Sequence, residues 1–258
     1  MGPRPGNQDA AVPVRERLTR ARAAIETATW VVGIVVVLAT GCGQVGTSSD
    51  PQKLHTAIEE LRVTSGDRLD ARAFPRLTDA DLEALAEAPL LREINLDGTL
   101  VGDETVRRIV ETFPEIVSVS LSETQISDVS LTEVAKCDQI EFLRLDKTAV
   151  TDDGLAALPG SFPVEEISLW RTYTTDRGVE SLSRLKQLRS VSLDGTEITD
   201  AGLLRLAKLE PLRTLRVSQT QVTRRGFERF QRLRPEVDIR ADHLPADLVT
   251  AGSAGASN

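Results

Sequence analysis

Histidine and cysteine are scarce in this sequence. Its 258 residues include two histidines, His55 and His243, and two cysteines, Cys42 and Cys137. No pair of these residues has the close spacing of zinc ligands, and two cysteines this far apart do not form a disulfide framework. The sequence also lacks a Gly-x-Ser-x-Gly motif and a phosphate-binding glycine loop. We therefore expect a protein that is not an enzyme, with no catalytic residues, no metal site and no cofactor.

Aromatic residues are also few, at 3% of the chain, so the core has to be built from leucine, isoleucine and valine. Hydrophobic residues make up 40% of the chain and charged residues 27%, which is ordinary for a globular protein. The formal net charge is −8. Because an acidic chain is repelled by a phosphate backbone, we expect no general binding to nucleic acid.

The first 42 residues differ in composition from the rest. Four arginines between residues 15 and 22 precede an apolar run at 30–39, and ten residues are too few to span a bilayer as a helix. A basic region, a short apolar run and small residues at its end are typical of a secretory signal. The sequence "LATGC" (38–42) resembles a bacterial lipoprotein processing site. This resemblance implies cleavage before Cys42 and lipidation of Cys42.

The same resemblance implies an extracytoplasmic protein that is anchored to a membrane of the bacterial envelope. Two alternatives stay open, namely an uncleaved N-terminal anchor and an apolar segment buried in the fold.

In the lipoprotein interpretation, residues 1–42 form the signal segment and residues 43–50 form a short polar tether. Because "DP" at 50–51 fits a helix start, we predict an N-terminal capping helix and a degenerate repeat over 51–76. For residues 242–258 we predict a disordered tail.

Threonine recurs at a fixed interval through the rest of the chain. Six threonines are spaced 25, 24, 24, 24 and 24 residues apart, and an apolar residue lies three positions before each. A second apolar residue lies two positions earlier still, which gives an L-x-L pattern. After four of the threonines the sequence continues as "ISD", "VTD", "TTD" or "ITD" and then becomes amphipathic. The six are Thr99, Thr124, Thr148, Thr172, Thr196 and Thr220.

An L-x-L core that repeats every 20–29 residues or so, with a helical return, is typical of leucine-rich repeats. The pattern resembles the cysteine-containing and bacterial subclass with the consensus T-x-I-T-D-x-G-L, and Cys137 lies where that subclass often has its cysteine. The resemblance implies an α/β leucine-rich-repeat solenoid over 77–241, with a parallel sheet on the concave side and helices on the convex side. Stacked repeats share a core that one repeat could not bury alone. Six strands about 4.8 Å apart would make a short arc of roughly 24 Å.

Several of the repeated rows have structural explanations. The threonine hydroxyls fit a repeated tight turn, in which they satisfy backbone groups. Aspartates before the helical stretches fit helix N-caps or first-turn acids better than calcium ligands. Recurring glycines allow close packing, and Cys137 is expected to be a small core residue rather than a nucleophile. The aspartates are Asp103, Asp128, Asp152, Asp176 and Asp200, and the glycines are Gly154, Gly178, Gly202 and Gly226.

The fourth repeat departs from the others. Where they have "DGT" or "SET", it has "WRTY" (170–173), which contains the single tyrosine of the chain and the one tryptophan outside the signal segment. A phenylalanine and an arginine lie on the neighbouring strand. Exposed Trp, Tyr and Arg side chains dominate binding hot spots, so the sequence "WRTY" indicates a binding site. The alternative explanation is that a surface position of the repeat has drifted in sequence without a function. The predicted ligand-binding residues are Trp170, Arg171, Tyr173, Phe142 and Arg144.

Leucine-rich-repeat proteins are chiefly binding scaffolds. The resemblance therefore implies a non-catalytic protein-interaction module that holds a protein or glycan ligand on its concave face. A structural alternative is an envelope spacer that self-associates, with the acidic body of one chain meeting the basic end of another. Residues 205–240 contain ten lysines and arginines against four acids. This segment fits a polar capping repeat, or a contact with anionic lipid or an acidic partner.

Overall fold

The computed structural model describes residues 67–82, 85 and 91–242. The predicted signal segment with Cys42, the tether, the capping helix and the tail beyond Asp242 lie outside the described residues. In the described ranges, no helix combines the length and the hydropathy that are needed to cross a membrane.

In the part of the chain that the structure describes, eight strands alternate with six α-helices. The strands are β1 (Arg68–Asp70), β2 (Glu93–Asn95), β3 (Ser118–Ser120), β4 (Phe142–Arg144), β5 (Glu166–Ser168), β6 (Ser190–Ser192), β7 (Thr214–Arg216) and β8 (Asp238–Arg240). The helices are α1 (Asp103–Thr112), α2 (Asp128–Val134), α3 (Asp152–Ala157), α4 (Asp176–Leu182), α5 (Asp200–Leu206) and α6 (Arg224–Leu233).

All eight strands form one parallel sheet in the order of the sequence. The central residue of each strand is buried toward the helices, and its two neighbours point to the opposite side, which we call the open face. This arrangement is an α/β leucine-rich-repeat solenoid, as the resemblance implied. Eight strands span about 34 Å at the usual strand spacing. The sheet is thus two strands wider than the six threonines indicated.

The core is one continuous cluster of mostly aliphatic side chains that runs through all the repeats, and Phe113 and Phe162 are also buried in it. Cys137 is buried in it as a free thiol, which confirms its prediction as a core residue. In α6, Phe227 and Phe230 are fully buried and take the places that leucines occupy in the preceding helix. In the described residues α6 is the last helix, and its larger side chains fill the core at this end.

The threonine of each repeat closes the turn that follows the strand. In all six repeats its hydroxyl donates a hydrogen bond of 2.6–2.8 Å to the carbonyl oxygen three residues earlier. This confirms that the threonine row is structural. The residue before the threonine has a positive φ of 53–72°, a conformation that glycine adopts freely and other residues adopt at a cost. These residues are Gly98, Glu123, Lys147, Arg171, Gly195 and Gln219.

Thr174 lies where the neighbouring repeats have isoleucine or valine, yet it is completely buried. Its hydroxyl oxygen lies 2.9 Å from the hydroxyl oxygen of Thr172. The buried polar group is therefore satisfied within its own repeat, so the substitution does not loosen the core there.

Aspartates at the helix starts link each repeat to the next. Asp176, the first residue of α4, accepts hydrogen bonds from the backbone N–H (2.8 Å) and the hydroxyl (2.6 Å) of Thr199, which is the N-cap of α5. The prediction of first-turn acids is confirmed, while the N-caps of α2 to α6 are serine or threonine. The same contacts join Asp103 to Ser127, Asp128 to Thr151, Asp152 to Thr175 and Asp200 to Thr223.

The recurring glycines make room for these aspartates. A Cβ atom on Gly202 would collide with the carboxylate of Asp176, which is held by Thr199 and cannot swing away without losing both of its hydrogen bonds. The expectation that these glycines serve packing is confirmed.

Candidate binding face

Three rows of side chains cross the open face of the sheet. The outer row comes from the first residue of each strand, the middle row from the third, and the turn row from the residue two positions after the third. The middle row runs Asp70, Asn95, Ser120, Arg144, Ser168, Ser192, Arg216 and Arg240. The turn row from β2 onward contains Asp97, Ser122, Asp146, Trp170, Asp194, Ser218 and Asp242.

Aspartate occupies every second position of the turn row. Asp97, Asp146 and Asp194 each accept a hydrogen bond from the backbone N–H of the next turn-row residue, at 2.8, 2.9 and 2.6 Å. Asp146 also accepts a hydrogen bond from the hydroxyl of Ser168. These carboxylates are therefore used within the sheet, and Asp146 fixes the backbone of Trp170.

Two cations contact the indole ring of Trp170. The Nζ atom of Lys147 lies 4.6 Å from the centroid of the indole ring, and the Cζ atom of Arg171 lies 5.1 Å from it. Lys147 is held in turn by an ion pair of 2.7 Å with Glu123. Cation–π contacts of this kind restrict the ring. Trp170 is consequently a partly exposed aromatic side chain whose position is favoured by two cation–π contacts.

The absence of a side chain at Gly195 gives this arrangement its space. A Cβ atom there would lie 2.9 Å from Cγ of Arg171 and 3.7 Å from Cδ1 of Trp170. The glycine also adopts a φ of 68°, so both the turn and the close approach of Arg171 favour it.

A depression of about 520 Å³ lies beside the indole ring. Its floor consists of the short side chains of Ser168, Ser190 and Ser192, and its sides include Arg144 and Arg216. In the sheet register the two arginines are separated by two serines, so their strands are about 14 Å apart. The change from large to small side chains across neighbouring strands is what creates the depression.

The two arginines differ in charge compensation. Arg216 donates to Asp194 at 2.6 Å, and this hydrogen bond raises the pKa of the Arg216 guanidinium. Arg144 is exposed and has no hydrogen-bond or ion-pair partner among the described residues. Four acids, Asp146, Glu166, Asp194 and Asp242, line the same depression, so the charge around Arg144 is mixed although it has no direct ion pair. Its guanidinium can donate to an oxygen acceptor while the ring packs against an apolar side chain.

Of the predicted site residues, the structure brings Trp170, Arg171 and Arg144 together at the depression. Phe142 lies in the outer row beside Glu166 and does not line it. Tyr173 is 65% exposed, but it follows the turn, and its backbone N–H donates to the carbonyl of Val150 at 3.1 Å. The structure therefore separates Tyr173 and Phe142 from the other three residues.

Sequence reasoning missed the serine floor and the contact of Lys147 with the indole ring. The floor comes from three strands and shows only when the repeats are aligned row by row. The alternating aspartates carried a visible signal, because Asp97, Asp146, Asp194 and Asp242 are spaced 49, 48 and 48 residues apart. Over the described ranges, no group of three or more His, Cys, Asp or Glu side chains is placed to hold a metal ion.

The fold resembles solved structures of two internalins from Listeria monocytogenes. Internalin C2 is 17% identical, with a TM-score of 0.41 over 57% of this chain and 77% of that chain. The internalin inlF is 18% identical, with a TM-score of 0.48 over 64% of this chain and 51% of that chain, about half its length. Because both TM-scores are low, the fold assignment rests on the repeats and the sheet described above. No protein-family model matches the sequence, and no curated protein matches it.

Proposed function

We propose that this protein is a non-catalytic interaction module that binds a segment of a partner protein, or a glycan, on its open face. The observation that carries the proposal is the indole of Trp170, in contact with two cations beside the serine-floored depression, with the exposed guanidinium of Arg144 at the same site. Aromatic and arginine side chains in such settings supply most of the binding free energy of protein interfaces.

The size of the depression fits a few ligand side chains or one to two sugar rings. Its volume of about 520 Å³ lies in the range of ligand sites, and it is open to solvent along the face. Both ligand classes use the same features, since a sugar ring or an apolar side chain stacks on the indole and an oxygen atom accepts from Arg144. A partner protein fits better, because the charged rows extend along the face beyond the depression.

The proposal places this module outside the cytoplasmic membrane of a bacterium. Its support is the sequence before the described residues, where an apolar run leads to the lipoprotein-like "LATGC" and Cys42. Lipidation of Cys42 would tether the chain to the membrane and leave the open face available to extracytoplasmic partners. Nucleic acid is not among the partners that we propose.

Site-directed photo-crosslinking in cells tests the proposal. A photoreactive residue with an aromatic side chain replaces Trp170, so that a ring is kept at this position, and the same residue replaces Val129 as a matched control, which is 58% exposed on the helix side. We expect a discrete crosslinked partner from position 170 and none from position 129. Equal capture from both positions, or capture of a second copy of this chain from position 170, would contradict the proposal, and the second result would favour a self-associating spacer.

A further inference from the structure

Helix α6 reverses the charge pattern of the other helices. The described helices α1 to α5 begin with aspartate, which interacts favourably with the positive end of a helix dipole. Helix α6 begins with Arg224 and Arg225 and has no acid in its first turn. Two cations at this end weaken the helix, so they are not explained by the stability of α6.

Three arginines of α6 form one exposed stripe. Arg225, Arg229 and Arg232 follow an i, i+4, i+7 spacing, which places them on one side of the helix. All three are exposed, and none has a hydrogen-bond or ion-pair partner among the described residues. Lys208, at the end of α5, adds a further exposed cation without such a partner in the same part of the chain.

Arginines on the other helices are compensated instead. Arg107 pairs with Glu104 and Glu111, Arg177 pairs with Asp153, and Arg205 pairs with Glu180. Helix α1 has the same ten-residue length as α6 but carries three acids and two arginines that form a network. A polar cap for a solenoid needs only mixed polarity of this kind. Helix α6 has four arginines against one acid, Glu228, and this acid forms an ion pair with Arg224. The three remaining arginines have no ion-pair partner among the described residues and suit a partner of the opposite sign.

The residue type indicates which anion would bind. The segment 224–242 contains six arginines and no lysine. The planar guanidinium group donates two parallel hydrogen bonds to a phosphate, whereas an ammonium group acts as a point charge. Leu233, next to the stripe, is 55% exposed and offers apolar surface at the same place. Exposed cations together with an exposed aliphatic side chain suit the headgroup region of a bilayer.

We propose that the stripe formed by Arg225, Arg229 and Arg232 docks on the phosphate groups of an anionic phospholipid bilayer. Each arginine near such a surface contributes on the order of 1 kcal/mol, so three give an increase in partitioning of about a hundredfold. The proposal concerns the last helix, which lies apart from the open face, and it does not depend on what that face binds.

The test measures partitioning of the full chain onto vesicles. Vesicles of phosphatidylcholine mixed with phosphatidylglycerol are compared with vesicles of phosphatidylcholine alone. The arginines at 15–22 also favour the anionic vesicles, but their contribution is the same in every variant and cancels when the variants are compared. The variant R225Q/R229Q/R232Q is compared with R107Q/R177Q/R205Q, which removes the same charge from ion-paired arginines. We expect the first variant to lose about fifty- to a hundredfold of the preference for anionic vesicles, and the second less than about threefold.

Three results would overturn the proposal. The first is a wild-type chain that shows no preference for anionic vesicles. The second is an equal loss of this preference in the two triple variants, because the preference would then depend on net charge alone. A stripe-dependent binding to soluble polyglutamate without binding to vesicles would instead assign the stripe to an acidic polypeptide. Circular dichroism and urea unfolding of both variants establish that each is folded, so that a loss of partitioning reports on the surface.

Discussion

On the helix side of the solenoid the same contacts recur from repeat to repeat, whereas on the open face neighbouring repeats differ. An aspartate bonded to the N-cap of the next helix recurs five times between Asp103 and Thr223. On the open face the middle row changes from serine to arginine between adjacent strands, and the turn row contains a single tryptophan. Repetition therefore marks the residues that hold the fold, and departures from repetition mark candidates for binding.

The largest expected effect is a difference in the free energy of unfolding between substitutions at two adjacent residues. Leu169 is completely buried, while Trp170 is partly exposed on the open face. Leu169→Ala should lower the free energy of unfolding by about 3 kcal/mol, because it leaves a cavity in the shared core. Trp170→Ala should lower it by only about 1 kcal/mol, since the ring loses cation–π and surface contacts. Urea unfolding followed by circular dichroism measures both, and equal losses would break the distinction between the two sides.

The glycine–aspartate contact should give the next largest effect. Gly202→Ala should destabilise the chain by about 2 kcal/mol, because the added Cβ displaces the carboxylate of Asp176 from Thr199. In the double variant Gly202→Ala/Asp176→Ala the clash is gone, so its loss should be smaller than the sum of the two single losses. Strict additivity in the same unfolding assay would show that the two residues do not interact.

The aspartate contacts predict how stability depends on pH. Burial acts to raise the pKa of Asp103, but the hydrogen bonds from Ser130 and Ser127 outweigh it and hold the pKa below its usual range. Asp103 thus stabilises the fold above the unfolded-state pKa of about 4, and this contribution is lost as the pH falls further. Asp103→Asn should cost about 1–2 kcal/mol at neutral pH and progressively less as the pH falls below about 4. A cost that does not change with pH would contradict this.

The smallest effect concerns the positive-φ turn position. Glu123 has a φ of 58° where two other repeats have glycine. Glu123→Gly removes the backbone cost of about 1 kcal/mol but also the exposed ion pair with Lys147, so a net gain of about 0.5 kcal/mol is expected. Gly195→Ala is the reverse change and should destabilise the chain. A loss from Glu123→Gly as large as that from Gly195→Ala would show that the turn does not favour glycine.

Most of the fold could be predicted because the threonine and leucine positions repeat at a nearly constant spacing. The two end strands are harder to detect, because Ala71 and Ala241 stand where the inner repeats have the second leucine or valine of the L-x-L pattern. Among the described residues each of these two strands pairs with one neighbouring strand only, so a smaller side chain is tolerated there. Strand β1 (Arg68–Asp70) lies within the range 51–76, for which we predicted a degenerate repeat.

The candidate site could be predicted only in part. Trp170 was detectable from composition alone, because tryptophan is so rare in the chain. The contact between Lys147 and the ring depends on the left-handed turn conformation of Lys147, which its residue type disfavours. Tyr173 is next to Thr172 in sequence, but the turn directs it away from the depression. Proximity in sequence therefore indicated a larger patch than the one the fold assembles.

The central claim is that Trp170 supplies the binding free energy at the depression. It lies there because the fourth repeat departs from the sequence pattern that the other repeats share. Its most direct test is the affinity of the partner captured at position 170 for the wild-type chain, for Trp170→Ala and for Tyr173→Ala. We expect Trp170→Ala to weaken binding by about thirtyfold and Tyr173→Ala, a more exposed aromatic position outside the depression, by less than about threefold. Affinities for Trp170→Ala within threefold or so of the wild type, or equal losses for both variants, would contradict the account.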